Sequence, residues 1–575
     1  WSGSNQWNFV LTGQEDGFTA KSPVASGTSA EQMLELMQEN KLWLYEPDVD
    51  TGVEHYIMAT AGANGSISPS SQTGHVWVSE GEDVTFTFTP DFGYEVDKVT
   101  VNGEEVVVTG DTYTIENVME DGVEINVTFK ASENAKDVPF IVYNDIFEVG
   151  NVTTAVIIDL GEGNEANLSD LSADMFSVSA RNTRYGMPDT VIFDGSRKIS
   201  RVYVNNEAKP LGYITPDPGS DDLVTDTPET GRYIVVELEF WDNNGYLSGA
   251  MVSGNLQNAY SADLNYSISI NSAIELTNGE EVIPFFVQED VVNLTLDKFV
   301  HDSTNPDGAG DMDILISIDD SWEEEGPLPL FIYNHGGGRG GSKGDYFAPM
   351  QTANGAAVLA KLQMENPDKY KIHIIATQNH SNNQTNNEAL MAYVQKLVDE
   401  GKVDPDRVYM SGFSMGGMYT MDFYKRNPEF LAAIVPLACA TFPTAQQLEE
   451  NVELTKTSIW GFVHKNDPYG DGTNWPNYFT TGAGATAGYE NANVSVMDTN
   501  QAFNYPYNGY DWTPHETEAQ LFNNLLGQGN TLHEIGPDQG AYDDKTIFDW
   551  LLDQDRGEEE ESETWRLVDP SDVEL

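Results

Sequence analysis

Cysteine is all but missing from this chain: of 575 residues, only Cys439 carries a thiol. No internal disulfide can form, so neither a disulfide-stapled scaffold nor a cysteine metal cluster is available. Cys439 follows the apolar run Ala433-Ile434-Val435-Pro436-Leu437 and is expected to be buried. Basic residues are also scarce, 28 against 93 acidic ones, for a formal charge of −65. Such a field repels nucleic acid and anionic membranes and favours solubility, including in a saline habitat. No stretch of 18 apolar residues occurs, so no transmembrane segment is expected. No His or Cys cluster has metal-ligand spacing and no EF-hand pattern appears, so neither metal nor cofactor is expected. The chain opens on Trp1, without a signal peptide, and reads as processed or trimmed.

Length alone predicts several domains. Residues 1–56 give little beyond a short helix over Ala30 to Leu44, and their role is unassigned. From 57 to 132 the chain alternates in the β manner, as in Val84-Thr85-Phe86-Thr87-Phe88-Thr89, with Asn102-Gly103 as a hairpin turn. Residues 137–290 hold further β runs, Ala155 to Leu160 and Tyr233 to Leu238 among them, with the spacing of an Ig-like β-sandwich. From 291 to 556 strands and helices alternate, and 557–575 is an acidic tail carrying Glu558 to Glu561.

The most informative segment is Gly412-Phe413-Ser414-Met415-Gly416. A G-x-S-x-G pentapeptide sets a serine on a sharp strand-to-helix turn, with glycines where Cβ atoms would clash. Arg407 to Met410 supplies a β-prone run before it, and Met415 to Tyr424 has helical spacing after it, ending before Asn427-Pro428. About 80 residues upstream, the apolar run Leu328 to Asn334 leads into His335-Gly336-Gly337-Gly338. A glycine-rich loop there lets backbone N–H groups approach a substrate carbonyl. The donors expected at an oxyanion hole are the amides of Gly337 and Met415.

A serine nucleophile needs an acid and a histidine, in the chain order Ser, acid, His for this elbow. The run Ser458 to His464 reads as a strand, and Asn466-Asp467-Pro468 ends it, which makes Asp467 the acid in preference to a plain turn aspartate. His464 itself belongs to that strand. Of nine histidines, two follow Asp467: His515 and His533. His533 is preferred as the base because it shortly precedes the last amphipathic helix, Asp544 to Leu552; His515 is the alternative. The constellation implies acyl transfer through an acyl-enzyme.

Residues from about 290 to 556 resemble the secreted α/β-hydrolase esterases grouped with predicted peptidases, feruloyl esterases and poly(3-hydroxybutyrate) depolymerases. The segment Val403 to Gly417, the acid loop Asn466-Asp467-Pro468 and the last helix carry the likeness. That family has a Gly-His pair shortly before its last helix, where this chain has Leu532-His533-Glu534, and an insertion of roughly 30 residues separates acid and histidine. The segment 57–132 resembles the internalin-type β-repeats of bacterial surface proteins, and 137–290 is similar to the N-terminal Ig-like domain of some esterases. The resemblance implies all-β modules followed by a C-terminal α/β-hydrolase domain, and a secreted or cell-surface bacterial protein, against the cytosolic hint from cysteine use. It also implies hydrolysis of feruloyl, acyl or polyester-type esters, with the β modules contacting a cell surface or polysaccharide. Five aromatics between Phe503 and Trp512 suggest a substrate rim at Tyr507, Tyr510 and Trp512. The rival expectations are a serine peptidase of the same fold and a non-catalytic surface-binding protein.

Overall fold

The computed structural model describes residues 53–211 (except 148–149), 227–239, 259–302 and 312–497 with short breaks, and beyond these His515, Glu518, 533–535 and 546–556. The helix expected over Ala30 to Leu44, the acidic tail and the aromatic rim at Tyr507, Tyr510 and Trp512 lie outside the described residues. The chain divides into two compact units, Trp1–Ser132 and Glu133–Leu575.

In the first unit, alternation of apolar and polar residues produces two sheets, of five and three strands. Phe86 and Phe88 point inward from Val84–Pro90 while Thr85, Thr87 and Thr89 face outward, as a period of two requires. They meet Ile57, Val99, Ile125 and Val127 in one small core.

The second unit begins with an all-β sandwich. A six-stranded sheet contains Ala135–Phe147, Gly150–Asp159, Tyr233–Leu238 and Glu281–Asn293, and faces a smaller sheet built on Phe176–Arg184 and Met187–Arg197. Val138, Phe140, Val156, Ile158, Ile234 and Val236 pack against Phe176, Val178 and Ile268 between them. Gly150–Asp159 is buried along nearly its whole length rather than on one face. The reason is a second apolar layer of Tyr143, Ala155, Ile157, Tyr203 and Val235 on its other side.

Polar contacts join the sandwich to the remainder of this unit. Lys361 donates to Asp145 Oδ2 at 2.9 Å and to the Ile146 carbonyl at 2.7 Å, and Asn151 donates to Gln351 Oε1 at 3.1 Å. A cavity of about 360 Å³, lined in part by Tyr185, Ser261, Asp297 and Tyr346, opens at this seam.

Beyond the sandwich, nine strands form one sheet: β1 (Val300–Asp302), β2 (Met312–Ser317), β3 (Leu328–Asn334), β4 (His373–Asn379), β5 (Val403–Phe413), β6 (Ala433–Leu437), β7 (Ser458–His464), β8 (Ala492–Met497) and β9 (His533–Ile535). Their spatial order is β1-β2-β4-β3-β5-β6-β7-β8-β9. The strands from β4 to β8 run parallel, and β2 and β9 pair antiparallel at either side. Strands β3, β4, β6 and β7 are buried at every residue, as expected of a parallel sheet covered on both faces. Helices α1 (Gly355–Glu365), α2 (Gln384–Asp399), α3 (Met415–Arg426) and α4 (Ile547–Leu552) supply the cover, in two core clusters. This is an α/β-hydrolase sheet following an all-β sandwich, the fold expected from the sequence. In an open parallel sheet the loops at the carboxyl ends of the strands gather beside one another, and that is where ligands bind.

Candidate active site

Ser414 lies between β5 and α3 with φ 53° and ψ −110°, a left-handed backbone rare for a residue with a side chain. The neighbouring glycines show why the elbow can close. A Cβ on Gly412 would lie 2.4 Å from the Gly416 carbonyl oxygen, and one on Gly416 would lie 2.0 Å from that of Asn334. The glycine backbone of the elbow is therefore pressed against the end of β3. Its side chain makes no capping bond to α3, so the hydroxyl is left to the site.

That hydroxyl donates to His515 Nε2 at 2.9 Å. On the other side of the ring, His515 Nδ1 lies 2.9 Å from Asp467 Oδ1 and 3.0 Å from Oδ2. With Nε2 accepting from serine, Nδ1–H is the donor to the carboxylate. Asp467 follows β7, is 6 % exposed, and also accepts the Tyr469 N–H at 2.8 Å. This second bond fixes the carboxylate where it can orient the ring. Tyr469 itself is 77 % exposed and stands edge-on to His515, centroids 4.8 Å apart.

Of the two candidate histidines, the structure brings His515 to Ser414 and Asp467. His533, preferred for its place shortly before the last helix, lies in β9, where it pairs in register with Val496 of β8. Chain order requires only that the base follow the acid, and the long insertion after β8 delivers a histidine before β9 is reached. His464 ends β7, where its Nδ1 accepts the Asn466 N–H at 3.0 Å.

The glycine-rich loop leaves β3 beside the elbow. A Cβ on Gly336 would come within 2.5 Å of the Phe413 ring, whereas Gly337 is exposed with open space about it. His335 is buried; its Nδ1–H donates to the Gly336 carbonyl at 2.8 Å and its Nε2 accepts the Asn379 N–H at 3.1 Å. It thus acts as a pin between the loop and β4. The loop is held from the sandwich as well: Ala259 N–H donates to the Gly338 carbonyl at 3.3 Å, and Ser261 N–H to Asp345 Oδ2 at 2.9 Å. Met415 opens α3, so its N–H is one of the first-turn donors without an intrahelical acceptor. The dipole of α3 adds positive potential at the same place.

Three residues of this neighbourhood were not singled out from the sequence. Asn334, wholly buried at the end of β3, donates to the Ser411 carbonyl at 3.3 Å and Thr420 Oγ1 at 3.2 Å, and accepts from Thr377 Oγ1 at 2.7 Å. It ties β3, β4, β5 and α3 together beneath the elbow; the sequence signal was a lone polar residue closing an apolar strand. The other two, Arg339 and Glu518, form a buried ion pair. Cys439 is buried beneath α3, and burial pushes its thiol well above the usual range, away from nucleophilic use. The seam cavity is lined by none of Ser414, Asp467 and His515 and belongs to the domain junction. Among the described residues no group of His, Cys, Asp and Glu is placed to hold a metal, and no helix is long and apolar enough to cross a membrane.

A serine on a strained elbow, a histidine bonded to it, a buried carboxylate behind the ring and a helix N-terminus alongside make up the arrangement that nucleophilic acyl transfer requires. Residues 141–282 match the esterase Ig-like N-terminal domain, and residues 350–471 match the phospholipase/carboxylesterase family. The chain carries a carboxylic ester hydrolase domain of α/β-hydrolase fold behind an esterase-type Ig-like domain. A solved structure described as a thermostable esterase is similar at 22 % identity, with a TM-score of 0.54, covering 72 % of this chain and 99 % of its own. Est1E from Butyrivibrio proteoclasticus is more distant, with 12 % identity, a TM-score of 0.25 and 40 % and 97 % coverage. FphF, a fluorophosphonate-binding serine hydrolase of Staphylococcus aureus, is comparable, with 12 % identity, a TM-score of 0.28 and 40 % and 96 % coverage. Likeness at these identities speaks to fold alone. No curated protein matches the chain.

The Gly416 contact yields a direct expectation. Gly416→Ala drives a methyl into the Asn334 carbonyl, which has no flexible end to yield. It should cost about 1–3 kcal/mol of stability and displace the serine. Turnover measured well below the melting transition should then fall by more than the folded fraction does. An alanine variant with parent turnover would mean that the elbow is less tightly closed than described.

Proposed function

We propose that the protein is a serine carboxylesterase acting outside the cell on acyl, feruloyl or polyester-type esters through Ser414, His515 and Asp467. The carrying observation is the unbroken hydrogen-bond chain from Ser414 Oγ through the His515 ring to Asp467, each link 2.9 Å at its shortest. In this reading His515 Nε2 takes the serine proton as Oγ attacks the ester carbonyl, and Asp467 stabilises the imidazolium. The Gly337 and Met415 amides receive the oxyanion. The alcohol departs with the proton from His515, and water releases the acid from Ser414 by the same steps in reverse.

The charge of −65 favours neutral esters over anionic phosphodiesters as substrates. Tyr469, exposed beside His515, offers an aromatic edge to a bulky acyl group. The Ig-like and N-terminal β modules suit contact with a polysaccharide or cell surface. The test is parallel assay of the intact chain on p-nitrophenyl acetate, methyl ferulate and a matched peptide amide. Esters should turn over at least about a hundredfold faster than the amide. Equal rates, or a faster amide, would make the protein a peptidase.

A further inference from the structure

Arg339 and Glu518 are 179 positions apart in sequence, yet Arg339 Nη1 donates to Glu518 Oε2. Each lies next to a different part of the site. Arg339 immediately follows the glycines of the oxyanion loop, and Glu518 comes three residues after His515. Both are withdrawn from water, Arg339 4 % exposed and Glu518 not at all. The Arg339 guanidinium also lies over the Phe413 ring, 4.6 Å from its centroid. Phe413 precedes the nucleophile, and its ring is 5.1 Å from that of His515 on a tilted approach. One aromatic ring thus touches the loop at Gly336, the base at His515 and the cation of the pair.

A buried ion pair is a poor device for stability alone, since removing two charges from water costs as much as their attraction returns. Burial pushes the Glu518 carboxyl up, whereas the guanidinium at bonding distance favours its ionised form. The contact prevails, because a neutral acid would leave the permanent Arg339 charge buried without a counter-ion. What such a pair does supply is geometry: a planar fork and a carboxylate fix the distance and orientation between the chains that bear them. The chains joined here bear the oxyanion donor and the base.

We infer that Arg339 and Glu518 are positioning residues, a clamp that locks the His515 segment to the oxyanion loop and holds base and oxyanion donors in register around Ser414. This rests on the reading of Ser414 and His515 as nucleophile and base. The base must be held within bonding distance of the serine, and a misplacement of about 1 Å costs on the order of a hundredfold in rate.

The test uses the full chain and four variants: Arg339→Met, Arg339→Lys, Glu518→Gln and the double variant Arg339→Met with Glu518→Leu. For each, kcat and KM on p-nitrophenyl acetate, the second-order rate of labelling by a fluorophosphonate and the melting temperature are measured. The Met and Gln single variants should lose about ten- to hundredfold in kcat with KM changed less than about threefold. Labelling should slow in step, and the Lys variant should retain more of both than the Met variant. The double variant should be slowed at least about tenfold, yet by much less than the product of the single losses, because the two groups act as one unit. Should a single variant fail to fold, the double variant, with the buried charges replaced by apolar groups, decides by direct comparison with the parent. Folded variants that label at the parent rate, or losses that multiply, overturn the clamp while leaving the triad reading intact. A parent chain that does not label overturns both.

Discussion

His515→Ala should lower kcat for ester hydrolysis by about 10⁴–10⁶-fold, while His533→Ala stays within about threefold of the parent. The first removes the group standing between Ser414 Oγ and Asp467; the second alters a residue of β9 that pairs with Val496 in the sheet. Without an acceptor for its proton, serine is a weak nucleophile at neutral pH, and what remains is binding and oxyanion stabilisation. His515 is part-buried but supports no core cluster, so the melting temperature of the alanine variant should stay within a few degrees of the parent. The comparison is read from steady-state rates on p-nitrophenyl acetate, with melting curves as the control. A His533→Ala loss as deep as that of His515→Ala would return the assignment to the histidine nearest the last helix and set aside the observed geometry.

Asp467→Asn should reduce kcat by about 10⁴-fold with little change in KM. The amide is nearly isosteric and its oxygen can still accept the Tyr469 N–H, so the loop after β7 keeps its shape. What changes is the partner offered to His515 Nδ1. An amide N–H directed at the ring favours the tautomer protonated on Nε2, which cannot accept the serine proton, and no negative charge remains to stabilise the imidazolium. The loss should therefore appear in kcat and in the rate of acylation. A fall in stability accompanied by unchanged turnover of the folded fraction would show that Asp467 only shapes its turn.

Much of the fold could be read from the residues because the signals are local. Leu328–Asn334, Arg407 to Met410 and Ser458–His464 are short apolar or β-prone runs bounded by turn residues, and each lies within a parallel strand of the sheet. Elbow and candidate acid were legible for the same reason: Gly412, Ser414 and Gly416 encode a backbone shape, and Asp467 follows a strand directly. The histidine that meets them was not. His515 comes to Ser414 across 101 positions and to Asp467 across 48. No local pattern specifies contacts across such separations.

Arg339 and Glu518 were illegible on different grounds. With 93 carboxylates and 28 cations in the chain, charge alone cannot nominate the partner of any one arginine. Only the fold, by burying two particular charges side by side, does so. The spatial strand order, with β4 between β2 and β3, is likewise a long-range property. The periodicity of a single strand carries no record of its neighbour.

The central claim, that Ser414 is an activated nucleophile held by His515 and Asp467, is tested most directly by covalent capture. The intact chain is incubated with a fluorophosphonate, digested, and the adduct located by mass spectrometry. A single stoichiometric adduct is expected on the peptide containing Gly412 to Gly416, on Ser414, absent in Ser414→Ala and slowed by orders of magnitude in His515→Ala. An adduct on another residue, or labelling that persists undiminished in Ser414→Ala, would contradict it.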